Sequence, residues 1–243
     1  MYAYSLWTVL GILFIFLMTS LGSASAFLLP VHGKPGLERL MMGFAAGVMT
    51  AAAVWSLILP AVEQAAADGR WPAFVPAALG LAAGTVFIAA LEFWQKNMGE
   101  GQLLFAAVTL HNIPEGLAVG LAFALAGRDE SIFAALALAF GIGVQNFPEG
   151  AAVSLPLSQA GFSRKTAFMR GFLSGAVEPL AALTALCMAS VIYPAMPWLL
   201  SFSAGAMLYV SVRELMPKAT DSSGSFAYIC GFILMMVLDI ALG

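Results

Sequence analysis

Long apolar runs recur from one end of the chain to the other, broken at short junctions that carry charge, glycine or proline. Their lengths fall near the roughly 20 residues that cross a bilayer as an α-helix. Cutting at the junctions predicts eight helices, over residues 4–29, 38–62, 72–94, 101–126, 131–157, 167–193, 196–216 and 225–242. The expected fold class is all-α, a polytopic membrane protein whose residues 1–243 form a single transmembrane domain, because the junctions leave no room for a soluble one. A transmembrane β-barrel would show short alternating strands instead.

Two of these runs are interrupted by polar residues in the same order. His111-Asn112-Ile113-Pro114-Glu115-Gly116 lies in the fourth predicted helix, and Gln145-Asn146-Phe147-Pro148-Glu149-Gly150 lies in the fifth. At 1.5 Å rise per residue the first motif lies about 15 to 21 Å along its helix, near the middle of a hydrocarbon core about 30 Å thick. The second is similarly deep, and Met49 and Glu178-Pro179 also fall near the centres of their helices. Within each motif the first, second and fifth residues are spaced i, i+4 and i, i+3, so all three share one helical face. The short connection at Gly127 to Glu130 makes the two helices antiparallel neighbours that can turn these faces together.

A second internal similarity joins Phe44-Ala45-Ala46-Gly47-Val48-Met49 in the second helix to Phe202-Ser203-Ala204-Gly205-Ala206-Met207 in the seventh; Leu59-Pro60 and Met216-Pro217 follow near the helix ends. The two helices run in opposite directions. This predicts an inverted repeat of helices 1–3 and 6–8 around helices 4 and 5, an arrangement known from secondary transporters; shared packing of small residues is the other account of the similarity.

Composition strengthens the membrane reading. Hydrophobic residues make up 61% of the chain and charged residues 9%, against about 25% charged in soluble domains. A net charge of -3 spread over short loops gives no basis for nucleic-acid binding. The odd-numbered connections hold Lys34, Arg39, Lys96, Arg164, Lys165, Arg170, Arg213 and Lys218, whereas the even-numbered ones hold Arg70 and Arg128. This asymmetry puts the odd connections in the cytoplasm and both termini outside. No charge precedes Lys34, so the first apolar run lacks the basic start of a cleaved signal peptide and is expected to be retained. Cys187 and Cys230 lie in separate runs without a CxxC spacing and are expected to pack. His32 is expected in solvent, and Asp239 is expected near an external helix end, where it can snorkel.

The chemistry follows from the cost of the buried acids. A carboxylate at the bilayer centre costs about 2.5–3.5 kcal/mol even on the lenient insertion scale. Glu115, Glu149 and Glu178 at one depth, with no lysine or arginine beside them, must be protonated, hydrated or bound to a cation. Pro114 and Pro148 each remove one backbone hydrogen bond and release the carbonyls of residues 110 and 144. Imidazole, carboxylate and amide donors, with a thioether from Met49 that can either pack or ligate, suit a divalent transition ion better than an alkali ion. The alternative is a hydrogen-bond network that only joins helices, but unpaired acids suit that role poorly.

At these residues the chain resembles the ZIP (Zrt/Irt-like) metal-ion transporters, in particular their compact bacterial branch. The fourth-helix motif followed by Leu117-Ala118-Val119 and the fifth-helix motif followed by Ala151-Ala152-Val153 are similar to the family's signatures. The resemblance implies a binuclear centre. One site would use Met49, His111, Glu115, Gln145 and Glu149, and its neighbour Asn112, Glu115, Asn146, Glu149 and Glu178, with Glu115 and Glu149 bridging. It also implies Zn²⁺ as the substrate, with Fe²⁺, Mn²⁺ and Cd²⁺ as related ions, no organic cofactor, a homodimer in the cell (inner) membrane, and import by elevator-like alternating access. Departures from the common pattern are Gln145, where many members carry histidine; Asn146, which is acidic in some; and the connection from Gln95 to Glu100, which lacks a histidine-rich loop. Arg213-Glu214 lies where some members carry a pathway histidine or acid, and the alternative there is a snorkelling Arg-Glu pair. An ion channel selective by carboxylate rings is the main rival. An intramembrane metalloenzyme is disfavoured because His32 and His111 are the only histidines and there is no HExxH.

Overall fold

The computed structural model describes residues 2–28, 35–94, 102–126 and 132–242. His32 and the connections predicted at 95–100 and 127–130 lie outside the described residues. The described residues are almost wholly helical: α1 (Tyr2–Leu28), α2 (Pro35–Ala52), α3 (Leu59–Asp68), α4 (Phe74–Trp94), α5 (Gln102–Ala126), α6 (Ile132–Gln159), α7 (Arg164–Gly175), α8 (Val177–Ile192), α9 (Met196–Val210) and α10 (Ser222–Leu242). Among them are seven continuous helical stretches long and apolar enough to cross a membrane, one of which, Arg164–Lys218, runs for 55 residues. That stretch is more than twice the length of one crossing and contains the 3₁₀ turn Tyr193–Ala195. Leu17, Val86, Leu183 and Ile233 stand exposed on their outer faces, as lipid-facing side chains do.

Two predicted helices are interrupted. The sixth, expected over 167–193, starts at Arg164 behind the N-cap Ser163, whose hydroxyl accepts from the Thr166 amide, and ends its first half at Gly175. α8 then starts afresh at Val177, with Pro179 in its first turn, where the missing N–H costs nothing. The second helix, expected to stop at Val62, continues to Asp68, and its middle is a wide π turn over Ala53–Ile58 just before Pro60. The seventh has the same feature, a π turn over Ser211–Leu215 just before Pro217.

Helices associate as parallel pairs, α1 along α6, α2 along α10, α4 along α9 and α5 along α8, with the direction fixed by contacts that advance together along both partners, such as Gly43 with Gly224 and Gly47 with Tyr228. Glycines permit these contacts. A Cβ on Gly22 would collide with the Phe147 carbonyl, one on Gly47 with that of Tyr228, and one on Gly205 with that of Leu81. Small residues are what close helix approach in a membrane requires. The pairs gather into two bundles, α1 with α5–α8 and α2–α4 with α9 and α10, which meet where α6 touches α2 and α10 and where α5 touches α9.

Polar contacts mark the two ends of the molecule. At one end Arg164 donates to the Phe27 carbonyl, Arg39 pairs with Asp221 at 3.1 Å, and Arg213 pairs with Glu92 at 2.8 Å. Arg213 therefore draws its acidic partner from α4. Asp221 caps α10 by accepting from the Gly224 amide and the Ser223 hydroxyl, and these bonds, with Arg39 beside it, hold its carboxyl below the usual carboxylate range. At the other end the Gln64 amide donates to the Tyr193 carbonyl at 3.0 Å. Cys187 and Cys230 are exposed on α8 and α10 rather than packed; on apolar helices, their thiols face outward without meeting a partner.

Candidate metal centre

The faces of α5 and α6 meet at the paired motifs. His111 Nε2 lies 3.0 Å from Glu149 Oε2 across the two helices and 3.3 Å from Glu115 Oε1 one turn along its own. All three side chains are buried, and one ligand atom from each lies within 4.8 Å of the others. A cation held by bonds of about 2.0–2.2 Å keeps its ligands within about 4.4 Å of one another, so the trio is nearly closed around an ion-sized point. Oε2 of Glu115, Oε1 of Glu149 and Nδ1 of His111 have no hydrogen-bond partner. Polar atoms left in this condition inside a protein imply a further partner.

The remaining predicted residues surround the trio in different ways. Glu178 is fully buried at the start of α8, with Oε1 accepting from the Thr19 hydroxyl of α1 at 2.7 Å and Oε2 unpartnered. Asn112 is buried and donates from Nδ2 to the Ser174 carbonyl at 2.9 Å, which leaves its Oδ1 for another group. Asn146 is buried with neither side-chain polar atom hydrogen-bonded. Met49 is buried within the apolar core of α2. Gln145 is buried, and its Nε2 is bonded to Asp239 and lies 3.3 Å from Ser56 Oγ.

Asp239 overturns the expectation of a snorkelling side chain. It is 8% exposed and accepts from Ser56 Oγ at 2.6 Å, so it is part of the buried cluster. A lone acid three residues before the end of an apolar run is indistinguishable in sequence from one that reaches the interface; what retains it is the π turn that carries Ser56. Thr19 joins the cluster from outside the paired motifs, and with Ser23 at i, i+4 it puts two hydroxyls on one face of a helix without charged residues. The expected release of the residue 110 carbonyl by Pro114 is met by a specific partner, since the Ser203 hydroxyl donates to it at 2.9 Å.

A cavity of about 500 Å³ leads to this cluster from one side, and Ser56, Glu63, Gln64, Glu115, Gln145 and Asp239 are among its lining residues. It opens at the end marked by Gln64. Toward the opposite end, a space of about 10 Å³ is lined by Met42, Leu104, Leu157 and Leu215, which are buried, together with Glu214 and Lys218.

Comparison with known proteins decides the family. The profile described as ZIP Zinc transporter matches residues 92–239, well over half of the chain. This chain belongs to the ZIP family. Among ZIP proteins, it is 35% identical to zinc transporter ZIP11 of Xenopus tropicalis, over 100% of this chain and 99% of that one. It is 38% identical to zinc transporter GufA of Myxococcus xanthus, over 78% of this chain and 81% of the relative, and 33% identical to zinc transporter ZIPB of Bordetella bronchiseptica, over 85% and 72%. Membership of the ZIP family together with its apolar helical stretches makes it a multi-pass membrane protein.

Proposed function

We propose that this protein imports divalent transition metal, zinc above all, by alternating access through a binuclear site between α5 and α6. The observation that carries the reading is the trio His111, Glu115 and Glu149: two carboxylates and an imidazole converge in a buried place with no lysine or arginine among the described residues bonded to them and with their outer atoms unsatisfied. The names of ZIP11, GufA and ZIPB support zinc as cargo. Glu115 and Glu149 serve both metals. Met49, His111 and Gln145 complete the first site, and Asn112, Asn146 and Glu178 complete the second. Fe²⁺, Mn²⁺ and Cd²⁺ fit the same donor set.

The large cavity on one side and the far smaller space on the other support a carrier open to one face rather than a continuous pore. With basic residues gathered at the closed end, the positive-inside rule makes that end cytoplasmic, places both termini outside in a bacterial inner membrane, and makes the open face the outer one. The division into two bundles supports movement of α1 with α5–α8 against the rest. Eight crossings follow if the chain reverses at Tyr193–Ala195, a turn tied to Gln64 beside the outer cavity. The inverted repeat is supported by the pairings. Exchanging helices 1–3 with 6–8, and 4 with 5, turns the α2 and α10 pair into the α9 and α4 pair, and the α1 and α6 pair into that of α8 and α5. It also exchanges the two π turns. Every proposed ligand comes from one chain, so the site is complete without the homodimer implied by the resemblance. The chemistry is movement of an ion and not turnover of a substrate.

Uptake of radioactive zinc into proteoliposomes tests the reading. Saturable uptake abolished by replacing both Glu115 and Glu149 with alanine is expected; no uptake, or uptake indifferent to that change, overturns it.

A further inference from the structure

Asp239 is buried beside the metal centre without being one of its proposed ligands. Its Oδ1 accepts from Ser56 Oγ at 2.6 Å and also from Gln145 Nε2, while Gln145 Nε2 lies 3.3 Å from Ser56 Oγ. A hydroxyl has one proton to donate, and that of Ser56 is given to Asp239. Both neighbours of the Gln145 amide therefore present acceptor lone pairs to it. A carboxamide carries its donors on one branch and its acceptor on the other. Turned the other way, the group would set its carbonyl oxygen against two acceptors. The pair consequently fixes the nitrogen toward Asp239 and directs the oxygen to the other side.

This orientation matters because an amide nitrogen bearing two protons is a poor ligand for a hard or borderline cation, whereas its oxygen is a good one. We infer that Asp239, anchored by Ser56, is a positioning residue that holds the Gln145 amide with its oxygen available to the cation. The inference rests on the reading of Gln145 as a metal ligand. It gives a physical role to the glutamine that stands in place of the family's more common histidine: an amide has one useful end and needs a partner to select it. The contact also crosses between the bundles, since Gln145 is on α6 and Asp239 is on α10, so the orientation is imposed in the conformation that opens the cavity.

The test uses the full-length purified protein, with Zn²⁺ titrated against a fluorescent chelator and folding followed by thermal melting and gel filtration. Loss of an outer-sphere partner costs about 10- to 100-fold in metal affinity, and Asp239→Ala is expected to fall in that range. Asp239→Asn, whose carbonyl oxygen can still accept from Ser56 and Gln145 but whose amide can also turn its donors toward them, is expected to recover part of that loss. In a Gln145→Ala background, Asp239→Ala is expected to add no further loss. Ser56→Ala, which keeps the carboxylate and removes its anchor, is expected to weaken binding in the same direction and by less, and serves if Asp239→Ala does not fold. The inference is overturned if Asp239→Asn is as damaging as Asp239→Ala, which would make charge the operative property, or if Asp239→Ala weakens the Gln145→Ala protein by its full factor. Unchanged affinity in Asp239→Ala overturns the inference alone, whereas a folded wild-type protein that binds no Zn²⁺ overturns the site reading and this inference with it.

Discussion

His111 Nε2 and Glu149 Oε2 lie 3.0 Å apart, joining the middle of α5 to the middle of α6. The same imidazole nitrogen is 3.3 Å from Glu115 Oε1, so one nitrogen stands between two carboxylates. A divalent cation satisfies this arrangement better than a single shared proton, because it attracts both carboxylates and the nitrogen lone pair together.

Replacing Glu149 separates charge from shape. Glu149→Gln preserves an oxygen that can accept from His111 and nearly the same volume, so the protein is expected to fold with its thermal midpoint little changed. Zinc affinity, measured by competition with a chelator, is expected to fall by more than the about 10- to 100-fold that loss of an outer-sphere partner costs, because a bridging anionic ligand becomes neutral. A variant that retained wild-type affinity would remove Glu149 from the centre.

The cavity and the closed side predict an asymmetry in labelling. With Cys187 and Cys230 changed to serine, a cysteine at Ala118, on the cavity wall, is expected to react with a membrane-impermeant maleimide added from outside, and Zn²⁺ is expected to slow the reaction. A cysteine at Leu157, fully buried on the opposite side, is expected not to react from outside. Labelling of intact cells and of inverted vesicles distinguishes the two faces, and the reverse pattern would overturn the assigned orientation.

Gly47 and Gly205 occupy matching places in the two six-residue segments that resemble each other, and each lies against a neighbouring carbonyl, that of Tyr228 or of Leu81. Neither can take a side chain without backbone movement. Gly47→Ala and Gly205→Ala are each expected to lower stability by about 1–3 kcal/mol, the usual cost of overpacking, as read from denaturation in detergent. Equal tolerance of alanine at both positions would show that the close approach is not required.

The motifs were legible in sequence because a polar residue in a membrane helix has few innocent explanations, and the i, i+4 spacing of His111 and Glu115 fixed their common face. Asp239 was not, because a carboxylate near a helix end is unremarkable until a third element supplies Ser56, and that supply depends on a π turn that no residue pattern announces. The break before Glu178 was hidden for a similar reason: Pro179 reads equally well as a kink within one helix or as the first turn of a new one. Pro114 was legible in part. Its consequence for the carbonyl of residue 110 followed from covalent structure, but the partner, Ser203, is 93 residues away.

Thr19 offers a separate test of the second metal position. Its hydroxyl donates to Glu178 Oε1 at 2.7 Å, and it is held in place by Gly150 and Gly175, which leave no room for a side chain of their own beside it. Thr19→Val keeps the branched shape and removes the donor, so Glu178 loses the contact that fixes one oxygen and presents the other, Oε2, to its surroundings. Thr19→Ser keeps the hydroxyl and loses only a methyl group. If Glu178 completes the second site, Thr19→Val is expected to reduce the number of zinc ions bound per chain at moderate metal concentration, with the tighter population unaffected, whereas Thr19→Ser retains both. Metal content after equilibrium dialysis, measured by elemental analysis beside a protein determination, reads this directly. Equal zinc content in the wild type, Thr19→Val and Glu178→Ala would mean that the α8 carboxylate holds no metal and that the centre is mononuclear.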